Sequence, residues 1–216
     1  MNIRIIVKKT LRNLTPPVLL PIHRNLKVAY QRIVARKELA RHTRLHLGCG
    51  PNIIEGWANI DLYGPKNVIC WDLTRRLPVS SETIKFIYSE HFIEHVSLEQ
   101  ARGLLGECYR VLQPGGVLRL STPSLRKLID LYLSGNLSEC IDVGWNPSTP
   151  CQLMNEGMRL WGHLFVYDCD ELKHLLEAIG FCNVTRVPWR ESKHEELNGL
   201  ECRPFHDEII LEGTKG

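Results

Sequence analysis

The apolar run Leu45-His46-Leu47 stops in Gly48-Cys49-Gly50, and the next, Ala58-Asn59-Ile60, stops in Asp61. Few features narrow a fold as much as this pair. Glycines at a strand end leave bare backbone, with no Cβ to hold a ligand away. An acidic residue at the tip of the neighbouring strand can accept hydrogen bonds from the two hydroxyls of a ribose. Both jobs require strands side by side that end at one edge of an open sheet. By itself the pattern suits any nucleoside-containing cofactor.

At 216 residues the chain suits one large domain with residues left for an arm or a cap. Hydrophobic residues make up 44% and charged residues 24%, the balance of an ordinary globular core. The net charge of +3 hides an uneven distribution. Residues 1–44 hold Arg4, Lys8, Lys9, Arg12, Arg24, Lys27, Arg32, Arg36, Lys37, Arg41 and Arg44 against the single acid Glu38, so the remainder is mildly acidic. The eight cysteines include no Cys-x-x-Cys pair and sit mostly in apolar runs, as buried thiols do. With no signal peptide recognised, that usage predicts a reduced, cytoplasmic protein. The apolar stretch Pro16–Ile22 is short and broken by prolines, so no membrane span is expected.

Residues 1–43 read as a basic N-terminal arm, divided by Pro16, Pro17 and Pro21. From about His23 to Arg41, helical spacing aligns Leu26, Tyr30, Ile33 and Val34 on one side. Three roles stay open: packing on the domain or on a partner protein, peripheral attachment to an anionic membrane surface, or a cleaved targeting peptide. The absence of serine from the first forty residues disfavours the last. A basic arm with no reading motif gives no expectation of nucleic-acid binding. Oligomeric state has no signature in the sequence.

Residues 44–216 follow a strand–loop–helix rhythm. Strands are expected at Arg44–Leu47, Ala58–Leu62, Val68–Trp71 and Phe86–Ser89. A helix should follow from Leu98 to Leu112, with Ser97 as its cap and Leu104, Leu105, Cys108, Val111 and Leu112 at helical spacing. Gln113-Pro114-Gly115-Gly116 reads as a stop and turn, Val117–Ser121 as a fifth strand and Ser124–Leu133 as a helix. Residues 134–167 break the rhythm with scattered Gly and Pro and two tryptophans, and read as an irregular cap over the site. A helix at Asp170–Ile179 then leads to strands Cys182–Val187 and Glu208–Glu212, which pair antiparallel because no helix separates them. The expected class is α/β: a Rossmann-like, mainly parallel seven-stranded sheet with an antiparallel last strand, helices on both faces, an N-terminal helical arm and a cap insertion.

Several blocks now carry a resemblance. They are Leu47–Asn52, Gly56–Leu62, Trp71-Asp72-Leu73, Tyr88–His95, Tyr109–Leu118, Asn155–His163 and the stretch from Glu201 to Leu211. In this order they resemble the class I S-adenosylmethionine-dependent methyltransferases, and among them small members associated with surface-polysaccharide synthesis. The resemblance runs from Arg44 to the C-terminus. It implies S-adenosyl-L-methionine as cofactor and a small-molecule or saccharide acceptor, methylated on oxygen. Leu47, Gly48, Cys49, Gly50 and Asn52 would lie along the methionine moiety, Asp61 and Leu62 at the ribose, and Asp72 and Leu73 at the adenine. Ser89, Glu90 and His91 would lie near the sulfonium. One departure stands out: residues 51–57 alone separate Gly50 from the second strand, where a parallel crossover normally takes ~12 residues or more.

Methyl transfer is an in-line displacement, so the enzyme mainly positions three atoms. A hydroxyl acceptor must also lose its proton, which makes His91, His163 and Glu94 the candidate catalytic residues, with His95 beside them. His91 ranks first by position. His91-Phe92-Ile93-Glu94-His95 also spells an inverted zinc-protease pattern, but the strand–motif–helix context is not that of a protease. Small-RNA 2′-O-methyltransferases and ubiquinone-pathway O-methyltransferases are similar here, with a metal-binding Glu-x-x-Glu-His. The alternative function is thus a metal-assisted O-methyltransferase using His91, Glu94 and His95, or a non-catalytic protein that binds the cofactor. A nicotinamide enzyme is disfavoured because Ile53 stands at the third glycine position of Gly-x-Gly-x-x-Gly. Trp145, Trp161, Trp189 and Tyr167 would suit stacking on a sugar or an aromatic ring.

Overall fold

The structure, a computed structural model, describes residues 33–142, 144–203 and 208–216. The expectations for residues 1–32 lie outside them. Seven strands form one sheet: β1 (Arg44–Leu47), β2 (Ala58–Asp61), β3 (Ile69–Cys70), β4 (Ile84–Glu90), β5 (Leu112–Thr122), β6 (Phe181–Arg186) and β7 (Ile209–Lys215). Their order is β3-β2-β1-β4-β5-β7-β6. β1 to β5 are parallel, and β7 runs antiparallel to both β5 and β6. This is the expected class, with its antiparallel last strand. The chain steps outward from β1 to β3, then returns to lay β4 on the other side of β1. Such a reversal opens a crevice at the carboxyl ends of the two central strands.

Strand residues alternate between two faces. Leu45, Leu47, Ala58, Ile60, Ile87, Leu118, Leu120, Ile209 and Leu211 join the main core with helices α2 (Leu98–Val111) and α6 (Cys169–Ile179). The first helix, α1, covers residues 33–39. Ser97 caps α2: its hydroxyl accepts from Gln100 N–H, and the Gln100 side chain accepts from Ser97 N–H. An isolated helix of this length is marginal in water. Burial of Leu104, Leu105, Cys108 and Val111 holds it, at ~1.5–3 kcal/mol for each large apolar side chain. Gly103 and Gly106 weaken it, and a Cβ on either would meet nothing within 4 Å. Gly103→Ala is therefore expected to raise stability by ~0.5–1 kcal/mol. Thermal unfolding checks this, and an unchanged or lower midpoint would go against it.

The opposite face carries a smaller apolar cluster, Trp57, Tyr88, Val117 and Leu197 with Ile54, Phe86 and Leu200. The helical cover is uneven, because the β1–β2 and β2–β3 connections contain no helix. Asn59 takes over part of that task. Its amide donates to Ile54 O (2.9 Å) and Trp57 O (3.1 Å), and its carbonyl accepts from Ile54 N–H (3.0 Å). The same carbonyl accepts from His46 Nδ1 at 2.9 Å, which fixes that ring's tautomer. One buried amide thus staples the shortened connection to the sheet.

Helix α1, residues 33–39, packs Ala35 and Leu39 into the main core, while Ile33 and Val34 are exposed. That reverses the apolar side expected for this segment, and it makes the end of the arm part of the domain's packing. Gln113–Gly116 lie within β5 and not in a turn before it. Leu112 pairs with Ile84 and Val117 with Phe86, so the residues between bulge from the ladder. The cap is more regular than expected. It contains α4 (Ser138–Asp142), α5 (Pro150–Arg159) and a 3-10 turn at Leu160–Gly162, and it packs on α3 (Leu125–Ser134). Pro150 sits in the first turn of α5 behind the Thr149 cap, where proline costs no hydrogen bond. Gly157 is buried against Leu128, where a Cβ would come within 2.8 Å of its side chain. Among the described residues no helix is long and apolar enough to cross a membrane.

Candidate active site

Gly48 and Gly50 both hold left-handed backbone, with φ of +65° and +52°. The two glycines answer different needs. A Cβ on Gly48 would lie 2.4 Å from the ring of Phe92, so this glycine exists to let Phe92 pack on the loop. A Cβ on Gly50 would meet nothing within 4 Å, so here the backbone faces open space. Asp61, at the tip of β2, accepts from Gly50 N–H (2.8 Å) and from Leu62 N–H (2.6 Å). Each oxygen keeps a lone pair for a further donor.

The other expected contacts fare unequally. Asn52 closes the loop, its N–H on Cys49 O at 3.0 Å, and Leu62 is half exposed. Leu47, Cys49 and Leu73 bury their side chains in the protein, so only their backbone can meet a ligand. Ser89 is buried and donates to Leu47 O (3.0 Å), tying the tips of β4 and β1. Asp72 is held by Thr74 and Arg75, and their hydrogen bonds and charge outweigh the effect of burial and keep its carboxyl below the usual range. Glu90 accepts from the backbone N–H groups of Cys202 (3.0 Å) and Arg203 (3.1 Å), and from the Cys202 thiol. It clamps the segment before β7 to the tip of β4.

His91 follows directly, with φ of +50°, a conformation that costs a non-glycine residue energy. Its Nε2 faces Glu208 at 2.5 Å and its Nδ1 faces Glu94 at 3.3 Å. Burial pulls its pKa down, but Glu208 and Glu94 outweigh that and raise it to about 9. Two carboxylates on one ring need an imidazolium, so His91 is not the proton acceptor expected of it. Burial pushes Glu94 towards protonation, and His91 overcomes this and holds it below the usual carboxylate range. Glu94 is fully buried; Oε2 accepts from Thr122 Oγ1 (3.0 Å), and Oε1 accepts no hydrogen bond among the described residues.

His163 is the counterpart. Its Nδ1 lies 2.9 Å from Gly157 O, a carbonyl that can only accept, so Nδ1 carries the proton and Nε2 offers a lone pair. Burial lowers its pKa, against a smaller upward push from that bond. The His95 and His163 rings stand edge to face, with centroids 5.1 Å apart. A cavity of about 360 Å³ opens here, lined by His91, His95, His163, Arg203 and the indoles of Trp145 and Trp161, with Pro123, Leu128 and Gly157. Trp189 and Tyr167 do not line it.

Residues 52–120 match a family model described as a methyltransferase domain. No curated protein matches the chain in sequence. Among solved structures, an S-adenosylmethionine-dependent methyltransferase of Archaeoglobus fulgidus is 18% identical, with 85% of this chain and 94% of that chain covered and a TM-score of 0.51. It shares the fold. Residues 52–120 thus match a methyltransferase domain, and the chain has the fold of the S-adenosylmethionine-dependent enzyme. A methyltransferase of Thermotoga maritima, described as a possible histamine N-methyltransferase, is 15% identical over 90% and 96% of the two chains, at a TM-score of 0.49. A Burkholderia thailandensis 1,6-didemethyltoxoflavin-N1-methyltransferase is 13% identical over 86% and 76%, at 0.48.

The methyltransferase's cofactor is S-adenosyl-L-methionine, and the residues present fit it. Open space at Gly50 lets it lie on backbone, and the spare lone pairs of Asp61 suit a vicinal diol. When bound it supplies an electrophilic methyl on sulfur. Several groups around the methyltransferase site escaped sequence reasoning: Glu208, Ser121 and Thr122, which anchor the His91–Glu94 pair, and Arg203 in the cavity wall. Glu208 had one available signal, its place on the same strand face as Glu212, two acids in an otherwise apolar run.

Proposed function

We propose that this methyltransferase moves the methyl group to a hydroxyl of a small-molecule or saccharide acceptor held in the cavity between β4, β5 and the cap. The supporting observation is that cavity: two indoles and three histidines next to the strand end where the methyl donor belongs. Indoles suit the apolar face of a sugar or a flat ring. His163 presents a lone pair to the cavity, and Glu94 stands behind it as an ionised carboxylate. Gly50, Asp61, Leu62 and Asp72 hold the cofactor in this reading. Transfer of labelled methyl from S-adenosylmethionine to fractionated cell extract, followed by mass analysis of the product, tests it. Label on a hydroxyl of a small molecule supports it. Label on nitrogen, or none with the cofactor bound, overturns it, the latter in favour of a non-catalytic binding protein.

Trp161 should dominate acceptor affinity, since it is half exposed, lines the cavity and contributes little to the core. Trp161→Ala is expected to raise the acceptor KM by ~10-fold with an unchanged unfolding midpoint. Equal KM values would remove this wall from the acceptor site. For residues 1–43, the charge suits an anionic lipid surface. Sedimentation with phosphatidylserine vesicles, with and without residues 1–32, which spares the core residues of α1, tests peripheral attachment.

A further inference from the structure

We propose that Glu94, His95 and His163 bind one divalent metal ion of borderline character, zinc- or cobalt-like, at the wall of the acceptor cavity. The inference rests on the reading of that cavity as the acceptor site, and names what meets the acceptor hydroxyl.

Each of the three residues offers one ligand atom, and the three atoms lie within 4.8 Å of one another. Three protein ligands at that spacing leave positions open for water or substrate, as two imidazoles and one carboxylate do in catalytic zinc sites. The orientation of two of the ligands, His163 and Glu94, is already fixed. The Nδ1–H of His163 is spent on Gly157 O, which points the Nε2 lone pair away from the backbone. A backbone carbonyl on the far nitrogen is the usual support of a metal-bound histidine. Thr122 holds one oxygen of Glu94, and the other, buried, lies 3.3 Å from His91 Nδ1 without a hydrogen bond. A carboxylate oxygen with only that long contact keeps lone-pair capacity for a further positive group.

His91 does not fill that need alone. Its ring stands between two carboxylates, Glu94 and Glu208, so Glu94 does not have it to itself. His91 also cannot be a ligand, because both its ring nitrogens face carboxylates. The ligand set therefore differs from the one the sequence suggested, with His163 in the place of His91. Two imidazoles select a borderline ion over magnesium. An acceptor hydroxyl bound to such an ion would lose its proton more readily and would be oriented for attack on the methyl carbon.

The test is titration of the chelator-stripped full chain with cobalt(II), read by its visible d–d absorption. One equivalent is expected to saturate the bands, and His163→Gln and His95→Gln are each expected to weaken binding at least tenfold. Circular dichroism checks that both variants fold. Absence of bands at one equivalent overturns the site in the wild-type chain alone, whatever the variants do. Bands that survive both substitutions place the ion elsewhere and overturn it too. Methyl transfer that persists in chelator, without a cobalt site, removes the metal and leaves the methyltransferase reading standing. Cobalt binding in a chain that transfers no methyl does the reverse.

Discussion

Arg119→Leu is expected to destabilise the protein by ~3–5 kcal/mol, the largest effect of any single substitution considered for the fold. Arg119 is fully buried in β5. Its Nε donates to Glu201 Oε1 (2.5 Å) and its Nη1 to Glu212 Oε1 (2.6 Å) and Glu191 O (2.9 Å). Glu201 and Glu212 are themselves buried, so removing the guanidinium strands two carboxylates away from water. Glu201 also accepts from Arg190 N–H, which makes the ion cluster the tie between the sheet and the long segment before β7. Urea unfolding measures the loss. A change below ~1 kcal/mol would mean that water reaches the cluster. Replacing Arg119, Glu201 and Glu212 together by apolar residues should recover much of the stability, because a buried charged triad barely offsets its own desolvation. That recovery separates the penalty of an unpaired charge from any worth of the pairing itself.

Asp61→Ala is expected to weaken binding of S-adenosylmethionine by ~10²-fold or more. A hydrogen bond to a charged group contributes ~1.5–3 kcal/mol, and the cofactor's ribose has two hydroxyls to donate. The folded state should tolerate the change, since Asp61 is only part-buried and the Gly50 and Leu62 amides it releases lie near solvent. Asp61→Asn, which can accept but carries no charge, should fall between the two. Calorimetric titration with S-adenosylmethionine and with S-adenosylhomocysteine reads both variants. A loss of less than tenfold for Asp61→Ala would place the ribose elsewhere, and with it the cofactor reading of the Gly48–Gly50 loop.

The shortened connection after Gly50 shows how far local reading reaches. Its brevity is plain in the sequence, but the device that makes it work is not. Asn59 reads as a polar residue in a strand. Only the fold reveals that its side chain takes four hydrogen bonds with His46, Ile54 and Trp57. Gly48 teaches the same lesson from the other side. Its left-handed backbone was legible as a glycine at a strand end, yet the neighbour that forbids a side chain there is Phe92, forty-odd residues on. The scattered Gly and Pro of residues 134–167 suggest irregular chain, but position within a helix decides what Pro150 and Gly157 each cost.

The sequence by itself determined the sheet, its parallel character, its antiparallel last strand, the glycine loop and the acid beside it. These are written in alternation, in strand ends and in short-range spacing, which are local properties of the chain. The protonation states at the acceptor site were decided only by tertiary structure. Position in the sequence favours His91 as the base, and Glu208, 117 residues away in the chain, takes it out of that role. His163 gained its free lone pair from the carbonyl of Gly157 in the folded cap. Charge and desolvation act through space, and no pattern of neighbours along the chain encodes which carboxylate a histidine will meet.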